Sequence, residues 1–136
     1  AFNDVHRVLA LVAAGEGAQA DAWVARCAER ALDNADAQRA NHAMAREVGL
    51  PLMRGLLCFA RGEFDAAVAT LRTTRAQAHR LGGSHALRDL IDQTLLAAAV
   101  HAGDQAVGRM LLNERRLAKP LTPLTRHWAE RLGVAL

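Results

Sequence analysis

Apolar residues recur at steps of three and four along most of this 136-residue chain, and glycines interrupt the pattern. The clearest run extends from Glu63 to Leu81, and Gly82-Gly83 follow it. Such spacing places one apolar stripe along a helix, and glycine is common just past a helix end. Strand-forming residues are scarce, with one Ile and no Tyr. The sequence therefore predicts an all-α fold.

The same signals predict about eight antiparallel helices on short connections. A second clear helix begins at the N-cap residue Ser84 and ends before Gly103. The remaining helices are expected near residues 3–14, 18–32, 37–48, 51–61, 104–118 and 122–133. Short connections force consecutive helices to run antiparallel, which gives a row of helical hairpins. Because no linker or low-complexity segment divides residues 1–136, we expect a single helical-repeat domain.

Composition narrows the classes of protein that the chain can belong to. Hydrophobic residues make up 51% and charged residues 23%, which argues against disorder, and the longest apolar run, 95–100, is too short to cross a membrane. The net charge of +3 comes from Arg interleaved with Asp and Glu, so we expect a solvated surface and no nucleic-acid partner. Neither Cys27 nor Cys58 has a Cys or His at metal-ligand spacing. We therefore expect both to be buried free thiols, in a cytoplasmic protein that holds no metal or cofactor.

Segment 51–71 carries a repeat signature. Gly55 lies on the first helix, Gly62 at the turn, and Ala67 and Leu71 on the second helix. This pattern resembles a tetratricopeptide repeat, and the resemblance implies an α-α superhelix, a solenoid of stacked hairpins.

Two further copies of the pattern follow the other turn glycines. One lies at 95–112, and a weaker one begins at Leu9 and continues to Cys27. Turn glycines at 15, 62 and 103 are farther apart than the roughly 34 residues of a regular repeat, so the repeats are stretched by insertions.

A second resemblance rests on Gly82-Gly83-Ser84-His85-Ala86-Leu87-Arg88-Asp89-Leu90, together with segments 59–67 and 111–116. These residues resemble the C-terminal part of the tetratricopeptide repeat protein 38 family over most of residues 48–130. Leu87 stands where that family usually has Gln. The resemblance implies an α-solenoid without an assigned catalytic residue, and we expect the chain to be the C-terminal portion of a longer repeat protein.

Chemistry-bearing side chains crowd together at Ser84, His85, Arg88 and Asp89. One interpretation is a hydrolase or transferase centred on Ser84, His85 and Asp89, but an N-capping hydroxyl is not a free nucleophile and one helical turn supplies no oxyanion hole. Another is an anion site built from Ser84, His85 and Arg88 after the glycine pair. The structural alternative is a capped helix start with a local ion pair.

A basic strip precedes this segment, formed by Arg72, Arg75, His79 and Arg80. Such a strip is usually solvated surface, and an Arg-mediated nucleic-acid binder is the alternative that it leaves open.

Repeat proteins of this kind bind partners on the concave face, lined by the first helix of each hairpin. The expected positions are Leu52, Leu56, Phe59, Gln93, Ala97 and Val100. That face is apolar, so it should be covered by a protein or peptide partner, by N-terminal repeats of the parent protein or by a second copy of the chain. The sequence thus favours a non-enzymatic interaction module.

Overall fold

The computed structural model describes residues 1–39, 41–83, 85–119 and 121–136, and they form seven helices that pack against one another. Their bounds are α1 Phe2–Ala13, α2 Gly17–Leu32, α3 Leu50–Ala60, α4 Phe64–Thr74, α5 His85–Ala102, α6 Gln105–Ala118 and α7 Pro123–Leu132. No strand occurs in these ranges, which confirms the all-α class. None of the helices described is both long and apolar enough to span a membrane.

The number of helices differs from the prediction of eight, which placed separate helices at 37–48 and 51–61. The chain instead makes one 3₁₀ turn at Asn34–Asp36. From His42 the chain runs into α3 without a break, through an α-helical turn at His42–Met44 and a π-helical turn at Ala45–Gly49. The two predicted helices are therefore largely one continuous helical segment.

The predicted break between the helices at 37–48 and 51–61 falls at Gly49 and Pro51, and the π-helical turn explains why the helix continues there. Pro51 lies in the first turn of α3, where its missing N–H costs least. An α-helical turn before it would bring the carbonyl of residue 47 against the proline ring, and the wider π turn avoids that clash. Gly49 is buried in this segment rather than ending it.

The helix predicted at 63–81 is present, but its second half is wound more tightly. α4 ends at Thr74, and Arg75–Leu81 continue it as a 3₁₀ helix. At the junction the Thr74 hydroxyl donates a hydrogen bond of 2.8 Å to the Thr70 carbonyl oxygen. A hydroxyl hydrogen bond of this kind competes with the backbone hydrogen bonds of the helix. The helix changes from α to 3₁₀ at this position.

Three glycines make the turns at which the chain folds back. Gly15, Gly62 and Gly103 have φ angles of 77°, 77° and 74°, a region that residues with side chains rarely adopt. The positions predicted as turns are thus confirmed. Consecutive helices pack on each other, and α3 also contacts α1 and α5.

Small residues bring neighbouring helices close together. A Cβ atom added to Gly55 would lie 2.6 Å from Cδ2 of Leu71, which is fully buried on α4. The missing side chain of Gly55 therefore lets α3 and α4 approach closely. Gly108 of α6 plays the same part against α7, where an added Cβ would lie 2.7 Å from Cδ2 of Leu132.

Both cysteines are free and only half-buried, rather than buried as expected. Burial raises the pKa of the Cys27 thiol, and the nearby Asp4 carboxylate raises it further. Burial likewise raises the pKa of the Cys58 thiol, helped by Glu63. Both thiols are therefore protonated at neutral pH and weak nucleophiles.

A side-chain cap fixes the start of α6. Asp104 Oδ1 accepts a hydrogen bond of 3.0 Å from the Val107 backbone N–H. We expect Asp104→Ala to lower the free energy of unfolding by about 1 kcal/mol, because it leaves this amide without its partner. Urea denaturation followed by circular dichroism measures the loss. Asp104→Asn keeps a capping oxygen, and an equal loss in that variant would contradict the capping role.

Candidate functional site

A groove of about 600 Å³ opens where the 3₁₀ extension of α4, α5 and α6 meet. Ala78 and Ile91 are buried core residues that reach its floor, together with the partly buried Met110. The other described lining residues are mostly charged: Arg72, Arg75, Ala76, His85, Arg88, Asp89, Asp92, Glu114 and Lys119. Because these three elements follow one another in the chain and pack in that order, their charged side chains converge on one groove.

Asp89 is the most strongly bound carboxylate of the groove. Its Oδ1 accepts hydrogen bonds from Nη1 of Arg115 at 2.8 Å and from Nζ of Lys119 at 2.5 Å. Its Oδ2 accepts one from Nε2 of Gln93 at 2.6 Å. Burial raises the pKa of Asp89, but the hydrogen bonds from Lys119, Arg115 and Gln93 outweigh it and lower that pKa to about 2.

Arg75 links two further carboxylates from different helices. Its Nε lies 3.0 Å from Oδ1 of Asp92 on α5, and its Nη2 lies 2.6 Å from Oε2 of Glu114 on α6. Burial raises the pKa of Asp92, and the charges of Glu114 and Asp89 raise it further against the opposing effect of Arg75. The two aspartates of α5 thus have pKa values displaced in opposite directions.

The remaining cations of the groove have no carboxylate partner in the described part of the chain. Arg72 is exposed on α4. Arg88 donates from Nη2 to Nδ1 of His85 at 3.1 Å and from Nη1 to the Gly83 carbonyl oxygen at 3.3 Å. A guanidinium only donates, so Nδ1 of His85 is the acceptor and Nε2 is the donor of the ring. The groove therefore offers free donors from Arg72, Arg88 and His85.

The residues of the hypothetical catalytic triad are not joined to one another by the contacts seen here. Ser84, both as helix cap and as nucleophile, lies outside the described residues. His85 is held by Arg88, and both oxygens of Asp89 accept hydrogen bonds from α5 and α6 side chains other than His85. Of the predicted anion site, His85 and Arg88 do line the groove together.

The six residues predicted for an apolar concave face do not form an open surface. Leu52 and Leu56 are 0% and 3% exposed, because α1, α2 and α4 all pack on the helix that carries them. These two positions therefore belong to the core of the chain itself. The half-buried residues are Phe59, Gln93, Ala97 and Val100. Gln93 uses its amide N–H to bind Asp89.

The predicted basic strip is divided between two environments. Arg75 is taken up by Asp92 and Glu114, and Nη2 of Arg80 lies 2.9 Å from Oε2 of Glu47. Arg72 also lines the groove, but it has no carboxylate partner among the described residues.

Four residues of the site were not singled out from the sequence: the groove residues Asp92, Glu114 and Lys119, and Arg115, which binds Asp89. A signal for them exists, because Asp89 and Asp92 are three residues apart and Arg115 and Lys119 are four apart. Such spacing places two residues on one helix face, although Lys119 lies just past the end of α6 with an extended backbone. Their meeting across α5 and α6 depends on how the two helices are rotated.

The described residues contain no group of three or more His, Cys, Asp or Glu side chains that could hold a metal ion. No protein-family model matches the chain, and no solved structure matches it.

Proposed function

We propose that this chain is a non-enzymatic, tetratricopeptide-like helical-repeat module that binds a peptide segment of a protein partner in the groove between α4, α5 and α6. The observation that carries the proposal is the groove itself. It combines a buried apolar floor with N–H donors of Arg72, Arg88 and His85 that have no carboxylate partner among the described residues. Its volume of about 600 Å³ lies within the range of roughly 300 to 1,000 Å³ that is typical of ligand sites in proteins.

The proposed partner site is this groove and not the concave apolar face expected from the repeat pattern. Leu52 and Leu56 are enclosed by the chain's own helices and cannot contact a partner without unfolding. The groove is accessible, and its walls come from consecutive hairpins, which is the arrangement that lets helical repeats bind extended segments.

Binding without catalysis fits the state of the ionisable groups. Each of the three carboxylates that line the groove is paired with a cation, so none is left as a free base. His85 has its Nδ1 occupied by Arg88.

The proposal is tested by filling the groove without touching its charges. Ala76 is exposed and lines the groove, so Ala76→Trp should block it. Peptides selected from a random display library on the wild-type protein should bind Ala76→Trp at least tenfold more weakly. Fluorescence anisotropy with labelled selected peptides measures the change.

Ala69→Trp is the matched control, because Ala69 is exposed on α4 but does not line the groove. This variant should bind the selected peptides as the wild type does. Failure to select any peptide, or equal binding by both tryptophan variants, would contradict the proposed function.

A further inference from the structure

Every carboxylate that lines the groove has a cation partner, whereas two of the guanidinium groups there have no carboxylate partner among the described residues. Asp89, Asp92 and Glu114 are all engaged by cations. Arg72 and the free N–H groups of Arg88 have no carboxylate partner among the described residues, and Nε2 of His85 also points to no partner there. Guanidinium groups cannot accept hydrogen bonds. A ligand group that accepts hydrogen bonds and carries negative charge therefore complements these donors.

We propose that Arg72, Arg88 and His85 bind the phosphate group of a phosphorylated peptide. A phosphomonoester carries a charge of about −1.5 to −2 and three strong acceptor oxygens, enough for two guanidinium groups and an imidazole N–H. A carboxylate offers one charge and two oxygens, which leaves part of this donor set unused. The peptide part of the inference rests on the proposed function above.

The same groove disfavours a nucleic acid. Asp92 and Glu114 have side chains 44% and 49% exposed, so their charge reaches the solvent of the groove. A nucleic-acid strand brings a phosphate about every 3.4 Å along its axis, and the phosphates after the first would meet these carboxylates. One isolated phosphate bound by Arg72, Arg88 and His85 brings no such series of charges to the carboxylates.

The first experiment uses inorganic phosphate alone. The side-chain Nε–H resonances of Arg72 and Arg88 should shift in a saturable way during an NMR titration with phosphate, whereas that of Arg109 should not. Arg109 is exposed on α6 and does not line the groove. No saturable shift, or equal shifts at all three arginines, would overturn the inference.

The second experiment separates the phosphate from the peptide. Degenerate peptide libraries with a central phosphoserine, serine or glutamate are immobilised, and the retention of labelled protein is measured. Retention on the phosphoserine library should be at least tenfold higher than on the other two. Arg72→Ala and Arg88→Ala should each lose at least fivefold of it, while the charge-matched Arg109→Ala keeps it.

The outcomes distinguish this inference from the proposed function. Equal retention on the phosphoserine and serine libraries, lost in Ala76→Trp, would overturn phosphate recognition and leave peptide binding intact. Phosphate-induced shifts with no retention on any library would overturn both the phosphopeptide inference and the peptide-binding function. Tighter binding of a single-stranded oligonucleotide than of the phosphoserine library would also overturn the phosphopeptide inference. Unchanged circular dichroism and unfolding midpoints show that the variants are folded.

Discussion

Gly55→Val should lower the free energy of unfolding by about 3 kcal/mol. The added Cβ would lie 2.6 Å from Cδ2 and 2.7 Å from Cγ of Leu71, well inside van der Waals contact. Leu71 is 0% exposed and cannot rotate away, so α3 and α4 must separate. The better helix propensity of valine offsets only a few tenths of a kcal/mol. Guanidinium denaturation followed by circular dichroism measures the loss.

Two further variants show whether the contact with Leu71 is the cause. Gly17→Val places the same side chain at a helical glycine with no atom within 4 Å of the added Cβ, and it should change stability by less than about 0.5 kcal/mol. Leu71→Ala alone should cost about 3 kcal/mol through the cavity that it leaves. Combined with Gly55→Val it should cost clearly less than the sum, because valine enters that cavity. Strict additivity would contradict the close approach of α3 and α4.

Asp89→Asn should destabilise the fold by about 2 kcal/mol at neutral pH. The side chains of Arg115 and Asp89 are only 11% and 21% exposed, so removing the carboxylate leaves a largely buried guanidinium without its counterion. The pKa of Asp89 falls from an ordinary value of 3.8 to about 2, and a difference of this size corresponds to about 2 kcal/mol of stability. Urea denaturation at pH 7 measures the loss.

The pH dependence of this loss follows from the direction of the shift. A lowered carboxyl pKa contributes stability that is complete above pH 4 and disappears as the pH falls towards 2. Asp89→Asn and the wild type should therefore converge in stability near pH 2. A loss of the same size at pH 7 and pH 2 would show that the ion pairs are not its cause.

Asp92→Asn is the matched control on the same helix. The pKa of Asp92 is raised by burial, so its contribution favours folding at low pH and is lost as the pH rises through that raised value. An asparagine, which does not ionise, should leave the protein at least as stable as the wild type at pH 7. Equal destabilisation by the two substitutions would contradict the electrostatic account of the groove.

Local sequence signals predicted most of the fold. The bounds of the helices expected at 104–118 and 122–133 agree with those of α6 and α7 to within one residue. Asp104 and Thr122 cap the first turns of these helices, and the apolar spacing along them is regular. The stop expected around Gly49 and Pro51 was wrong, since proline is equally compatible with the first turn of a helix. Choosing between these two possibilities required the π-helical turn, which has no clear sequence signature.

The groove was predictable only in part. His85 and Arg88 lie within one helical turn, so their proximity follows from sequence spacing. The pairs Arg115 with Asp89 and Arg75 with Glu114 join residues 26 and 39 positions apart. Such pairs depend on the rotation of each helix about its axis, which spacing alone does not determine. The concave face was placed by analogy with regular repeats, whereas α1 and α2 cover Leu52 and Leu56 in this chain.

An NMR map of the wild-type protein with a display-selected peptide tests most directly whether the groove is the binding site. We expect the largest backbone amide shifts in segments 72–78, 85–92 and 110–119, which line the groove. They should disappear in Ala76→Trp and persist in Ala69→Trp. Shifts centred on α1 and α2, or around Leu52 and Leu56, would contradict the assignment of the groove as the partner site.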